Sequence, residues 1–125
     1  MNSPPASAVV LFAHGSRDPL WVQPFRVMQE NLATQRQELQ VELAFLEFMQ
    51  PSLPEAVDAL ATSGHKRITV APLFMAQGAH MKRDLEQIVA TLQRRHSGIE
   101  FRVLPAAGEA VPVLKAISRW LAECV

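Results

Sequence analysis

Two histidines and one glutamate stand at comparable places in this sequence, each at or just beyond the end of a mainly apolar stretch. His14 precedes Glu47 by 33 residues, and Glu47 precedes His80 by another 33. Imidazole and carboxylate groups are ligands that first-row divalent ions such as Co, Fe, Ni and Zn accept. We therefore predict that the three side chains form one metal site. Taken alone, each is better explained as a capping or packed residue.

Cations stand beside the candidate ligands. Arg17 lies three residues after His14, and Lys82 and Arg83 follow His80 directly. Guanidinium and ammonium groups bind carboxylates, so this arrangement predicts a substrate that carries several acidic groups. The alternative for such a charged pair is a solvated helix end.

Two small residues separate His14 from Arg17. Gly15 has no side chain, which lets a ligand come close to the backbone at this turn. Ser16 has the same ambiguity as the histidines, because serine is also an ordinary residue type at the start of a helix.

Four short runs rich in Val, Ile, Leu and Phe must position these side chains, and we predict that each run is a β-strand. Segments with helical spacing of apolar residues fill the gaps between them. The predicted strands are 8–14, 40–46, 67–73 and 99–104. The predicted helices are about 20–38, a second between Ser52 and Gly64, a third from near Met81 to Gly98, and a fourth from about Val111.

Strands that alternate with helices form parallel sheets through right-handed crossovers. We therefore predict an α/β fold, a flavodoxin-like three-layer sandwich with a four-stranded parallel sheet and helices on both faces. Ligands of such folds bind beyond the carboxyl ends of the strands, which is where the candidate residues fall. His65 and His96 fall at the opposite edge, and we predict that both are surface residues.

Length and composition narrow the function further. The 125 residues predict a single domain over 1–125 with a loose tail at 1–7, and the balance of 12 basic and 12 acidic residues argues against nucleic-acid binding. No apolar run is long enough to span a membrane, and the start lacks the pattern of a secretion signal. With Cys124 as the single cysteine, these features predict a cytoplasmic protein. Signatures of serine hydrolases, P-loop proteins and Rossmann dehydrogenases are missing.

Three segments resemble the short class II tetrapyrrole chelatases, the sirohydrochlorin cobaltochelatase and ferrochelatase family. They are "HGSRDP" after the first strand, "LE" at the end of the second and "PLFMAQGAHMKRDL" after the third. The resemblance implies an enzyme that inserts a divalent metal into sirohydrochlorin for cobalamin or sirohaem synthesis. The expected metal is Co²⁺ or Fe²⁺, with Ni²⁺ as a third candidate. The metal is then a substrate, and no tightly bound cofactor is expected.

The resemblance also implies roles for individual residues. His14 and His80 bind the incoming ion and accept the two pyrrole protons, with both roles open for both histidines, and Glu47 completes the coordination or relays protons. By the same resemblance, Arg17, Lys82 and Arg83 hold the acidic edge of the macrocycle, and Gly15 and Ser16 shape its approach.

Relatives in the wider class have two similar lobes with the substrate between them, whereas this chain has the length of one. We therefore predict a two-fold homodimer that recreates the cleft. The alternative function is a protein that carries divalent metal on the same ligands without acting on a tetrapyrrole.

Overall fold

The structure is a computed structural model and describes residues 7–125. Its centre is one sheet of four parallel strands in the order β2-β1-β3-β4. The strands are β1 (Ser7–Ala13), β2 (Gln40–Phe45), β3 (Arg67–Pro72) and β4 (Glu100–Val103). The predicted α/β class and the four-stranded parallel sheet are confirmed.

Four α-helices follow the strands in turn: α1 (Gln23–Gln35), α2 (Leu53–Thr62), α3 (Ala79–Arg95) and α4 (Val111–Cys124). The first helix packs on one face of the sheet, against β1 and β2, while α2 and α3 cover the opposite face. Helices therefore lie on both faces, as right-handed crossovers in this strand order require.

The central strand β1 explains why the chain folds with this register. Val10 and Phe12 pack among the residues of α2 and α3, whereas Leu11 and Ala13 pack on the side of α1. A strand buried on both faces reads as a continuous apolar run, and its interior place leaves little freedom to slip. The residue after this run, His14, is thereby fixed at the carboxyl edge of the sheet.

Two helices begin at places that differ from the sequence prediction. Residues 19–22 form a 3-10 turn instead of the first turn of α1, because the Asp18 carboxylate accepts a hydrogen bond from the Leu20 N–H at 2.9 Å. Helix α3 begins at Ala79, two residues earlier than predicted, with Gly78 in an extended conformation as its N-cap. His80 therefore lies within the first turn of α3.

The last helix packs differently from the other three. None of the residues of α4 is buried, and its main contact is with the 3-10 turn Ala107–Glu109 that precedes it. The face of β3 and β4 on the side of α1 has no helix packed closely on it in the part of the chain that the structure describes.

The prediction for the two remaining histidines is wrong for His65. Gly64 turns the chain with φ of 91°, and His65 folds back under the end of α2, where it is 5% exposed and its Nδ1 lies 3.1 Å from the Leu60 carbonyl. Since a carbonyl only accepts, Nδ1 carries the hydrogen.

Of the predicted tail 1–7, residues 1–6 lie outside the described residues, and Ser7 begins β1. Among residues 7–125, no helix combines the length and the apolar character needed to cross a lipid bilayer.

Candidate active site

His14 and Glu47 meet because the pairing of β1 with β2 continues past both strands. The Leu46 N–H donates to the Ala13 carbonyl at 2.9 Å, and the Glu47 N–H donates to the His14 carbonyl at 3.1 Å. The side chains then lie side by side, with His14 Nε2 3.5 Å from Glu47 Oε1, and each is about half exposed. The pair presents an imidazole and a carboxylate to solvent at the carboxyl edge of the sheet.

Gly15 allows this close approach of the two strand ends. Its φ is 93°, and a Cβ at this position would lie 1.8 Å from the carbonyl oxygen of Glu47. No other residue type fits there without displacing the backbone that carries the glutamate. Gly15 was predicted to let a ligand approach; in the structure the group that approaches it is Glu47.

His80 has a different partner. Its Nε2 lies 3.3 Å from Oδ2 of Asp84, one helical turn later in α3, and its side chain is 89% exposed. Within residues 7–125, no three His, Cys, Asp or Glu side chains lie close enough together to hold one metal ion. The structure thus joins His14 to Glu47 and leaves His80 with Asp84, so the three-ligand site stays a prediction.

An apolar pocket lies beside His14 and reaches Met81, the residue after His80. Its volume is about 400 Å³, and it is lined by His14, Phe74, Met75, Ala76 and Met81. The ring of Phe74 stands edge-on to the imidazole of His14, with centroids 6.0 Å apart. An apolar pocket with an imidazole at its side can take an apolar ligand and place one polar group next to it.

The loop that carries Phe74 is held by the segment after β4. The Gly108 N–H donates to the Phe74 carbonyl at 2.9 Å, and a Cβ on Gly108 would overlap the backbone of Met75. The pocket wall is therefore fixed by a backbone contact that only glycine permits.

The predicted cations lie around this edge without ion-pair partners among residues 7–125. Arg17 stacks over the ring of Phe48, with the guanidinium carbon 4.8 Å from the ring centroid. Lys82 and Arg83 are exposed near the start of α3. All three have charge free to meet an anionic group.

Ser16 has a local structural role. Its hydroxyl oxygen accepts a hydrogen bond from the Asp18 N–H at 3.0 Å, which shapes the turn into the first helical segment. Its predicted contact with substrate is not tested by this arrangement.

Sequence reasoning missed two contributors to the site, Asp84 and Phe48. Asp84 stands four residues after His80, and that spacing was the available signal for a contact on one helix face. The sequence left Phe74 open between packing, a ligand pocket and a subunit contact, and the structure places it in the pocket wall. Phe48 was not detectable, since its position opposite Arg17 depends on a backbone with φ of 68°.

Comparison with known proteins now bears on this geometry. The pattern of the CbiX family matches residues 8–124, nearly the whole chain. The chain belongs to the CbiX family. This confirms the chelatase resemblance that the motifs around His14 and His80 predicted.

Individual CbiX relatives differ in how much of their length they share with this chain. The sirohydrochlorin cobaltochelatase of Sulfurisphaera tokodaii is 37% identical over 118 residues, which cover 89% of this chain and 97% of the relative. Against four curated methanogen relatives, in contrast, the chain spans only 57% to 62% of the relative's length.

Two solved structures share the fold. The CbiX protein of Marinobacter aquaeolei VT8 superposes with a TM-score of 0.81 at 28% identity, covering 94% of this chain and 95% of the other. The sirohydrochlorin chelatase SirB of Bacillus subtilis subspecies spizizenii, solved in complex with cobalt, gives 0.79 at 25% identity and covers 94% of this chain but 50% of its own.

Proposed function

We propose that this protein inserts a divalent metal, Co²⁺ or Fe²⁺ with Ni²⁺ as a third candidate, into sirohydrochlorin. The observation that carries the proposal is the pair His14 and Glu47, which stands at the carboxyl edge of a CbiX fold beside an apolar pocket. The cobaltochelatase relatives and the cobalt-bound SirB structure support the substrate and the metal. The reaction is a chelation of the kind needed in cobalamin or sirohaem synthesis.

Metal insertion releases two protons for each ion, because two pyrrole N–H groups lose hydrogen as four ring nitrogens take up the metal. A neutral imidazole accepts such a proton at a lone pair. His14 fits this role, since its side chain is half exposed and its Nε2 lies 3.5 Å from the Glu47 carboxylate, which only accepts hydrogen bonds when ionised. His80, beside Asp84, is the second group for binding the ion or taking a proton.

In this proposal the macrocycle is bound by the apolar pocket and by the basic side chains near it. Phe74 and Met75 contact the flat face of the ring, and Arg17, Lys82 and Arg83 bind its carboxylates. Gly15 and Ser16 shape the turn over which the ring approaches. No tightly bound cofactor takes part, because the metal is consumed as substrate.

A second copy of the chain completes the cleft in this proposal. The open carboxyl edge supports it, as does the match to half of SirB, which leaves a similar length of that protein for another lobe. We also propose that residues 1–125 form one domain, supported by the single continuous sheet, and that the protein acts in the cytoplasm, where its one cysteine stays reduced.

The test is an anaerobic assay of the purified protein with sirohydrochlorin and Co²⁺, Fe²⁺ or Ni²⁺ in turn, followed by the visible spectrum of the macrocycle. We expect His14→Ala and His80→Ala each to lower the rate at least about 100-fold, the scale of lost proton transfer. His96→Gln, at the opposite edge, is the matched control and keeps the rate. A protein that binds Co²⁺ yet leaves the spectrum unchanged is a metal carrier, which would refute the proposal.

A further inference from the structure

A groove runs between the edge strand β2 and helix α2, and its volume is about 430 Å³. Strand β2 contributes Gln40 and Glu42, which lie on the face toward α2 because Val41 between them packs on the side of α1. None of the described residues that line this β2–α2 groove belongs to the candidate active site. The groove is therefore a separate candidate site.

His65 lines the groove and has a ring nitrogen without a partner among residues 7–125. The side chain is 5% exposed, and Nδ1 donates its hydrogen to the Leu60 carbonyl at 3.1 Å. In the neutral ring Nε2 then keeps a lone pair, which is an acceptor. A buried acceptor without a donor costs free energy, so Nε2 requires a donor from outside residues 7–125. A ligand in the groove can supply one.

The charged groups of the groove are two carboxylates. Glu42 accepts a hydrogen bond from the Gln40 amide at 2.7 Å through one of its oxygens. Glu55 accepts from the Ser52 N–H at 2.8 Å, also through one oxygen. Neither carboxylate has an ion-pair partner within residues 7–125, and the lining that this range provides contains no lysine or arginine. The groove thus offers acceptors and negative charge, which favours a cation that donates hydrogen bonds.

The floor of the groove is apolar and lies between these acceptors. Ala56, Ala59 and Leu60 form it, at helical spacing on one side of α2. Glu55 is in the first turn of α2, whereas His65 follows its last turn, and a helix of 10 residues is about 15 Å long. Two polar ends joined by an apolar floor match a linear molecule with a cationic group at each end and methylenes between them.

A metal ion is not the ligand that this lining favours. Within residues 7–125 no three His, Cys, Asp or Glu side chains lie close enough together to share one ion. A primary ammonium instead carries three hydrogens on one small head, and each can be donated to a different acceptor. Its aliphatic chain gains free energy by contact with alanine and leucine side chains.

We propose that the β2–α2 groove binds a short linear diamine or polyamine in its ammonium form. The N–H groups of the ligand donate to His65 Nε2 and to the carboxylates of Glu42 and Glu55, and its methylenes lie over Ala56 and Ala59. The site is independent of metal insertion, so the failure of either proposal leaves the other unaffected.

The first test is calorimetric titration of the unmodified protein with putrescine at about pH 8, where histidine is neutral. We expect saturable binding of one molecule per chain. Fully N-methylated putrescine keeps the chain and both charges but has no N–H, so it should bind at least about 10-fold more weakly. Butanoate has the opposite charge and should not bind. Absence of putrescine binding, or equal binding of the methylated analogue, would overturn the proposal.

Substitutions in the groove separate this site from other acidic surfaces. Ala59→Leu fills the floor at an exposed helical position and should abolish binding, and Glu42→Gln should weaken it at least about 10-fold. Glu30→Gln removes a carboxylate on α1, at the other face of the sheet, and is the matched control that keeps the affinity. Circular dichroism checks that each variant is folded. Unchanged binding in Ala59→Leu would place the diamine elsewhere and refute the proposed groove.

Nitrogen NMR of the imidazole rings tests the role of His65 without replacing it. The His65 signals are those that persist in each of the variants His14→Ala, His80→Ala and His96→Gln. Bound putrescine should shift the Nε2 signal of His65 with the same saturation as the heat, since a hydrogen bond changes the shielding of an acceptor nitrogen. An Nε2 signal that stays in place at saturation would contradict the proposal.

Discussion

At the scale of single residues, Gly15 decides whether the imidazole and carboxylate of the site can meet. We predict that Gly15→Ala lowers the free energy of unfolding by about 2 to 4 kcal/mol, through positive-φ strain and displacement of the Glu47 backbone. The rate of chelation should fall as well, because Glu47 moves away from His14. Urea unfolding and the spectral assay measure the two effects.

Gly64→Ala is the matched control for this substitution. Gly64 has nearly the same φ, 91°, and a Cβ there meets nothing within 4 Å. It should cost only the strain of the backbone conformation, about 1 to 2 kcal/mol, and keep the rate. If both variants lose the same stability and Gly15→Ala stays fully active, contact with Glu47 is not what position 15 requires.

Residue types and spacing predicted part of the candidate site. The pairing of His14 with Glu47 followed from parallel strands that end at one edge, since backbone geometry alone brings those positions together. The sequence did not predict where the His80 side chain points, because several rotamers are open to a residue on the first turn of a helix. In the structure His80 contacts Asp84. Phe74 depends on a loop whose path is set by Gly108, far away in sequence.

At the scale of elements, one carboxylate links α2 to the end of α3. Asp58 of α2 accepts from His96 Nε2 at 2.7 Å and pairs with Arg95 at 2.9 Å. The hydrogen bond from His96, helped by Arg95, holds the pKa of Asp58 below its ordinary 3.8. The ionised carboxylate therefore stabilises the fold above about pH 4, and this contribution is lost as the pH falls through the lowered pKa.

We predict that Asp58→Asn lowers the free energy of unfolding at pH 7 by at most about 1 kcal/mol, since the carboxylate is nearly half exposed. The difference from the unmodified protein should shrink as the pH falls below 4. Urea unfolding between pH 7 and pH 2.5 measures it. Glu38→Gln, which removes an exposed pair with Arg36, is the control and should change stability by less than about 0.5 kcal/mol at pH 7. A difference that persists unchanged at pH 2.5 would contradict the assignment.

The sequence predicted all four strands and helices, but not every boundary. Continuous apolar runs identify interior strands well, because burial on both faces leaves few polar positions. Strand β1 is an example, with six apolar residues after Ser7. The start of α1 was missed because Asp18 caps a 3-10 turn, a local bond that competes with the helix. The exposure of α4 was not predictable. An amphipathic pattern shows that a helix has an apolar face, but it does not show which surface that face packs against.

At the scale of the whole molecule, the question is whether one chain supplies a complete site. His14 and His80 follow β1 and β3, which are neighbours in the sheet, and the pocket beside His14 is lined by residues of both segments. We predict that co-expressed His14→Ala and His80→Ala chains remain inactive together, because no chain in any dimer has both histidines. The spectral assay measures this.

Unmodified chains co-expressed with the His14→Ala/His80→Ala double variant form the control. Their activity should follow the fraction of unmodified chains, because each intact set acts independently of the other set in its dimer. Recovery of activity in the mixture of the two single variants would show instead that His14 of one copy works with His80 of the other.

The ion-paired contact of Asp58 with Arg95 and His96 lies at the amino edge of the sheet, where α3 leads into β4, while the proposed active site lies at the carboxyl edge. Mutations at one edge can change how much heat or acid the protein withstands without altering the chemistry at the other. Adaptation to a new growth temperature and adaptation to a new metal are therefore separable in the evolution of this chain.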